Sequence, residues 1–220
     1  MTAAVCGFAL LRREAGQPAP ILAVDLFRRP IFSLSAATSV CAFTVQGLAF
    51  VVLPFHLQVA LGYSQVETGL LITPWPAVLA FMALVAAPLA DRHSPGLLGG
   101  AGLLVLGAGM ASLALLPPDL GPADVVWRLA LCGVGFGFFQ SPNMKAIMSS
   151  APAARSGGAS GIVAASRLLG QSIGAALVAL CLSLSQTQGA ELALWAGCGV
   201  AILGSLTSLL RLLPTVLARP

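Results

Sequence analysis

Apolar residues occur along this chain in six long segments that alternate with short polar stretches. Each segment is about as long as an α-helix needs to be to cross a hydrocarbon layer of about 30 Å. The predicted spans cover residues 31–58, 66–90, 96–116, 124–147, 157–183 and 190–212. Because these helices are apolar on most faces, their few polar positions are the most informative about packing and function.

The composition supports lipid as the medium around these helices. Charged residues make up 8% of the chain and hydrophobic residues 58%, whereas a soluble domain carries roughly a quarter charged residues. We therefore predict an all-α membrane protein with three parts: residues 1–30 as a linker, 31–213 as a six-helix bundle and 214–220 as a tail. Residues 1–11 resemble the end of a preceding helix, because Arg12 and Arg13 follow the apolar run, whereas a signal peptide carries its basic residues before it.

The net charge of +4 comes from Lys and Arg residues that lie mainly before the first span, in alternate loops and at the carboxyl end. The positive-inside rule then places both termini in the cytoplasm. The basic excess thus indicates topology and gives no reason to expect nucleic acid as a partner. The five cysteines show neither CxxC nor Cys/His spacing, so we expect no metal site and no cofactor.

Glycines are concentrated in the third, fourth and fifth spans. Lipid gives two helices no hydrophobic reason to associate, so close backbone approach through small residues must supply much of the packing energy. We expect these glycines to lie at helix–helix contacts.

Arg167 is the most unusual residue of the fifth span. It lies about 16 Å along a helix that begins near Ser156, where a charge costs at least about 2.5–3.5 kcal/mol. It should therefore face the interior of a bundle or water. Ser160 and Gln171 share its helix face. Two interpretations stay open: this face lines a solvated translocation path, or Arg167 locks helices together through Gln171 and backbone carbonyls.

Gln46 in the first span, with Gln140 and Asn143 in the fourth, adds polar groups at membrane depth. They could form interhelical hydrogen bonds worth about 0.6 kcal/mol each, or line the same path as Arg167. By contrast, no Asp or Glu lies in the middle of any predicted span. Proton-coupled transport usually needs an ionisable group inside the membrane, so we expect this chain to lack its own coupling site.

Several short motifs, in this order and spacing, resemble those of a known family. They are Asp25-Leu26-Phe27-Arg28, Leu53-Pro54-Phe55-His56-Leu57-Gln58, Leu89-Ala90-Asp91-Arg92, Ser156-Gly157-Gly158-Ala159-Ser160-Gly161 and Arg167-Leu168-Leu169-Gly170-Gln171. Together they resemble the major facilitator superfamily, in its fourteen-helix drug:proton antiporter branch, and especially bacterial pumps for quaternary ammonium compounds and methyl viologen.

This resemblance implies that the six spans form the carboxyl-terminal bundle, a 3+3 inverted repeat in a bacterial inner membrane. It assigns Asp91 and Arg92 to the inner-loop motif that latches the inner gate, although His93-Ser94-Pro95 departs from the family pattern. The implied function is the carboxyl-terminal half of a proton-coupled multidrug efflux transporter. Paired with an amino-terminal half that binds the proton, it would export lipophilic, cationic compounds by alternating access.

Two alternatives remain from the sequence. The chain could be a truncated membrane protein with no transport of its own. It could also be an intramembrane serine protease, since Gly158-Ala159-Ser160-Gly161 fits a GxSG signature. That chemistry needs a histidine beside Ser160, and both histidines, His56 and His93, lie near opposite span ends.

Overall fold

A computed structural model describes residues 24–116, 121–185 and 188–213, and these residues form a helical membrane bundle. Their α-helices are α1 Pro30–Phe55, α2 Gln65–Ile72, α3 Pro74–Arg92, α4 Pro95–Ala114, α5 Pro122–Ser150, α6 Ser156–Leu184 and α7 Gly189–Leu209. Helices α2 and α3 together make one span, so the described chain has six segments long and apolar enough to cross a membrane. The predicted spans are confirmed to within a few residues. The predicted helix end at 1–11 and the tail at 214–220 lie outside the described residues.

Prolines lie in the first turn of several helices. Pro30, Pro74, Pro95 and Pro122 occupy first turns, where the absent N–H has no helical partner to lose. The second span breaks at Thr73, whose hydroxyl donates to the Gly69 carbonyl at 2.8 Å. Thr73 keeps helical φ and ψ angles of −52° and −34°, and its N–H donates to the Gly69 carbonyl at 3.1 Å, so α2 and α3 remain one span.

The helices pack in the order α3, α5, α4, α7, α1, α6, each against the next. The first three spans, α1, α2–α3 and α4, correspond in this order to the last three, α5, α6 and α7. Under this correspondence, the α1–α6 contact is equivalent to the α5–α3 contact, and the α1–α7 contact is equivalent to the α5–α4 contact. Because three crossings reverse the chain direction, the two sets are inverted. The predicted 3+3 architecture is confirmed.

Glycines make the closest helix contacts. A Cβ atom added to Gly174 would lie 2.3 Å from the Thr44 carbonyl oxygen in the α1–α6 contact, and one on Gly135 would lie 2.4 Å from the Leu106 nitrogen in the α4–α5 contact. The packing prediction therefore holds at these positions. It is wrong for Gly157 and Gly161 of α6, which have no atom within 4 Å of an added Cβ.

One end of the bundle carries most of the described basic side chains, and we call it the basic end. Here α1, α4 and α6 begin, and α3, α5 and α7 end. A 3₁₀ helix, Val24–Arg28, leads into α1 at this end, with Leu26 buried in a small cluster. Asp25 pairs with Arg155, and Arg29 donates to the Ser150 carbonyl at 2.7 Å. The last residues of the predicted linker are thus fixed to the α5–α6 connection.

Candidate functional site

A small, half-open cavity lies where α1, α5 and α6 meet, and we call it the α1–α5–α6 cavity. Its volume of about 20 Å³ suffices for about one water molecule. Its lining is Ser39, Phe43, Phe139, Gln140, Asn143, Met144, Ile147 and Val163. The cavity thus combines an aromatic and aliphatic wall with three polar side chains, two of which, Gln140 and Asn143, the sequence proposed as site residues.

Arg167 lies next to the wall of this cavity. It follows Val163 by one turn of α6, is exposed, and its guanidinium carbon is 5.8 Å from the centre of the Phe43 ring, within the range of a cation–π contact. It forms no ion pair with any described residue. Arg167 does not lie inside this six-helix bundle, because Gly170 and Gly174 bring α6 against α1 too closely to admit a long side chain. That it faces water stays a prediction.

Gln171 and Gln46 meet next to Arg167. The Gln171 Nε2 donates to Gln46 Oε1 at 3.4 Å, a long hydrogen bond between α6 and α1. The structure therefore brings together Arg167, Gln171 and Gln46 at the edge of the α1–α6 contact. No hydrogen bond joins Gln171 to Arg167 among the described residues, so Gln171 does not hold the Arg167 side chain in place there.

Ser160 stands apart from this group, nearer the basic end. Its hydroxyl is 3.9 Å from the Met148 sulfur, and no hydrogen bond joins it to a histidine in the part of the chain that the structure describes. His56 lies beyond the far end of α1, and His93 follows α3. The geometry gives Ser160 no base to activate it as a nucleophile.

Asn143 is 2% exposed, and both ends of its amide are engaged. Its Oδ1 accepts a hydrogen bond from Arg211 at 2.9 Å. Its Nδ2 donates to Ser39 Oγ at 2.8 Å and to the Ser35 carbonyl at 3.2 Å. Asn143 therefore connects the cavity wall to a buried polar network behind it.

Arg211 is the centre of that network. It is 4% exposed and donates to Ser35 Oγ and to Asn143 Oδ1, each at 2.9 Å, and also to the Ser208 carbonyl at 3.2 Å and to its hydroxyl. Among the described residues no carboxylate contacts it. Four hydrogen bonds thus compensate for the lost hydration of a buried cation.

Sequence reasoning missed this role by treating Arg211 as a basic residue of the carboxyl end. The sequence does contain an indication of this role. Ser205, Ser208 and Arg211 occur at intervals of three residues and so share one helix face. Ser205 and Ser208 donate to the carbonyls of Gly100 and Gly96, each at 2.9 Å. The polar face of α7 is therefore buried against α4, α1 and α5.

The predicted gate residues lie at the basic end. The Asp91 carboxylate pairs with Lys145 of α5, and Lys145 also donates to the Ala90 carbonyl at 3.1 Å. Both charged side chains are substantially exposed, Lys145 at 48% and Asp91 at 70%, so the pair is worth at most about 1 kcal/mol. Arg92 is exposed and forms no ion pair with a described residue. The structure thus pairs one of the two motif residues, in a contact weak enough to open.

Comparison with known proteins identifies the family. Residues 2–175 match the family model of the Major Facilitator Superfamily. The chain is 50% identical to "Uncharacterized transporter YebQ" of Escherichia coli over 208 residues, 94% of this chain and 46% of that protein.

More distant relatives have names that refer to drug resistance. "Multidrug resistance protein Stp" of Mycobacterium tuberculosis is 34% identical over 78% of this chain and 31% of its own length. "Quinolone resistance protein NorB" of Staphylococcus aureus is 28% identical over 94% of this chain and 45% of its own length. The chain thus spans about half the length, or less, of these relatives. The family model matches well over half of the chain, and the chain therefore belongs to the Major Facilitator Superfamily.

Proposed function

We propose that this chain acts as the carboxyl-terminal half of a proton-coupled multidrug efflux transporter, which alternates access when it is paired with an amino-terminal half. The names of Stp and NorB support a drug substrate. The chain's coverage of less than half of each relative supports a role as one of two bundles.

One observation carries this proposal: charged and polar groups are left open at membrane depth on one side of the bundle. Arg167 lies about 16 Å along α6, exposed, beside the α1–α5–α6 cavity and Gln140. Lipid against this surface would disfavour the guanidinium by several kcal/mol. A second bundle facing it would instead enclose a hydrated path, as in transporters built from paired bundles.

The outer face of α6 supports the same arrangement. Gly157 and Gly161 have open space where a Cβ would lie, and exposed Ala165 and Ser172 continue this face. Small residues permit the backbone of another helix to come close. We propose that a helix of the amino-terminal half packs here.

Proton coupling and the preference for cations are proposed to come from the amino-terminal half. Within the described spans, acidic side chains lie only near span ends, at Glu67, Asp91, Asp124 and Glu191. A carboxylate of the other half would bind the proton and the cationic group of a lipophilic solute. The membrane is proposed to be a bacterial inner membrane, with both termini in the cytoplasm.

The second candidate is a membrane protein without transport of its own. It is favoured by a core that the six spans complete by themselves, in which Val45, Leu103 and Phe136 are fully buried. Such a bundle can be stable without a partner.

Efflux of ethidium separates the two candidates. The chain would be expressed in a bacterium lacking its major drug pumps, alone and together with the part of the Escherichia coli relative that this chain does not match. We expect energised export only when both polypeptides are present, and we expect Arg167→Ala to abolish it. Arg128→Ala, which removes a charge near the opposite end of α5, is the matched control and should retain export. No export from any inserted combination would favour the second candidate.

A further inference from the structure

We infer that the α1–α5–α6 cavity is a binding subsite for the anionic or carbonyl end of an aromatic solute. The inference rests on the proposed function and adds a substrate class to it. The amino-terminal half would bind a cationic group, and this half would bind an electron-rich, hydrogen-bond-accepting group of the same compound.

The apolar part of the cavity suits the edge of an aromatic solute. Phe43 and Phe139 line it together with Met144 and Val163. Aromatic rings pair favourably edge-to-face or offset-stacked, and methionine sulfur also packs well against ring edges. With room for about one water, the cavity admits only the end of a solute, whose remaining body would lie between the two halves.

A hydrogen-bond relay makes the polar part a donor. Arg211 donates to Asn143, which in turn donates to Ser39 Oγ. Ser39 is 2% exposed and lines the cavity. Because its oxygen accepts from Asn143, and no described residue accepts its hydroxyl hydrogen, that hydrogen is available to a ligand. The relay begins at a cation, so each donor along it is polarised in the same direction.

Arg167 adds a second donor next to the cavity wall. Its guanidinium lies over Phe43, the same ring that lines the cavity, and none of its N–H groups donates to a described residue. Charge-assisted hydrogen bonds from a guanidinium to a carboxylate are roughly twice as strong as neutral ones. A carboxylate at this wall would therefore meet Arg167, the Ser39 hydroxyl and the amide of Gln140.

The cavity lining also disfavours a cation. None of its residues is acidic, and two guanidinium groups contact its lining, that of Arg167 over the Phe43 ring and that of Arg211 hydrogen-bonded to Asn143. A solute whose cationic group entered here would be repelled and would find no carboxylate. The sign of the local charge therefore sets the orientation of the solute as well as its class.

Two probes with the same ring system and opposite charge test the inference: 2-naphthoate and 2-naphthylmethylammonium. Binding to the purified 220-residue chain in neutral detergent micelles would be measured by calorimetric titration, with empty micelles as a blank. We expect 2-naphthoate to bind at least about tenfold more tightly than the ammonium probe. Arg167→Gln should weaken 2-naphthoate binding about tenfold, as expected for the loss of one charge-assisted bond.

Arg128→Gln is the matched control, since it removes the same charge from the chain far from the cavity and should leave 2-naphthoate binding unchanged. Ser39→Ala tests the relay and should weaken 2-naphthoate binding severalfold, with helical content checked by circular dichroism. The inference is overturned if neither probe binds, if both bind equally well, or if the two arginine variants behave alike. The measurement uses the chain alone, so failure of efflux with a partner half and failure of this subsite are independent results.

Discussion

Two arginines show how strongly the surroundings of a single residue determine its role. Arg167 lies deep along α6 yet is exposed beside a cavity, whereas Arg211 lies at the end of the last span yet is buried. Depth along a helix and burial within a bundle are different quantities. The first can be read from position in the chain, while the second depends on which helix packs against that face.

Replacing Arg211 with Met should destabilise the bundle by about 2–3 kcal/mol. The substitution places an apolar side chain of similar length there but leaves the buried Asn143 Oδ1 without its donor, whereas Ser35 Oγ keeps its hydrogen bond to the Ile31 carbonyl. A buried polar group without a partner costs about 1–3 kcal/mol. The free energy of unfolding would be measured by titrating SDS into mixed micelles and following helical content.

Arg167→Met is the matched control, because Arg167 is exposed and donates no hydrogen bond to a described residue. Its free energy of unfolding should stay within about 0.5 kcal/mol of the wild-type value. Equal stability of the Arg211 and Arg167 variants would show that the buried network contributes little.

Between helices, the closest contacts depend on the absence of a side chain. The α1–α6 contact closes at Gly170 and Gly174, and the α4–α5 contact at Gly102 and Gly135. In each pair, the backbone of one helix lies where the partner's Cβ would be. These contacts fix how far apart the spans lie and therefore how wide the α1–α5–α6 cavity is.

Gly174→Ala should separate α1 from α6 and cost about 1–3 kcal/mol, the usual effect of overpacking. An added Cβ would lie 2.3 Å from the Thr44 carbonyl oxygen and 2.5 Å from the Leu48 nitrogen, and backbone atoms cannot move aside locally. The same unfolding titration would measure the change.

Gly161→Ala on the same helix provides the comparison, since nothing lies within 4 Å of its added Cβ. Its expected effect is neutral or a stabilisation of up to about 1 kcal/mol, from the higher helix propensity of alanine. If both variants lost equal stability, helix propensity or the membrane environment, and not the α1–α6 contact, would be the cause.

On the scale of the whole molecule, an internal symmetry explains the exposed surfaces. Spans α2–α3 and α6 occupy equivalent places at the two ends of the packing order. They are the least buried spans: 17% and 22% of the residues in their most apolar 18-residue stretches are buried. Each packs mainly against one neighbour, α5 or α1. We propose that a second bundle joins through these two outer spans.

Cysteine labelling would test the proposed orientation of the whole bundle. Gln65 is exposed at the start of α2, and Ala153 is exposed at the basic end. If the basic end faces the cytoplasm, a membrane-impermeant maleimide should label Gln65→Cys in intact cells and Ala153→Cys only after permeabilisation. The reverse pattern would contradict the positive-inside assignment, and the parent chain controls for its native cysteines.

The sequence by itself determined the six spans, their approximate bounds and many, but not all, of the glycines that bring helices together. These features follow from local properties: apolar length sets membrane crossing, and backbone access sets close packing. The motifs also indicated the family, because several short motifs occur along this chain in the order and spacing that the family shows.

Only the tertiary structure decided which polar groups meet. Arg211 reaches Ser35 and Asn143 across 176 and 68 positions of sequence, and Arg167 lies exposed at the edge of the α1–α6 contact, over Phe43. Helices that are apolar on most faces carry little information about their rotation. The contacts among a few polar side chains are therefore fixed by packing between distant spans, and the candidate subsite became visible only once those spans were brought together.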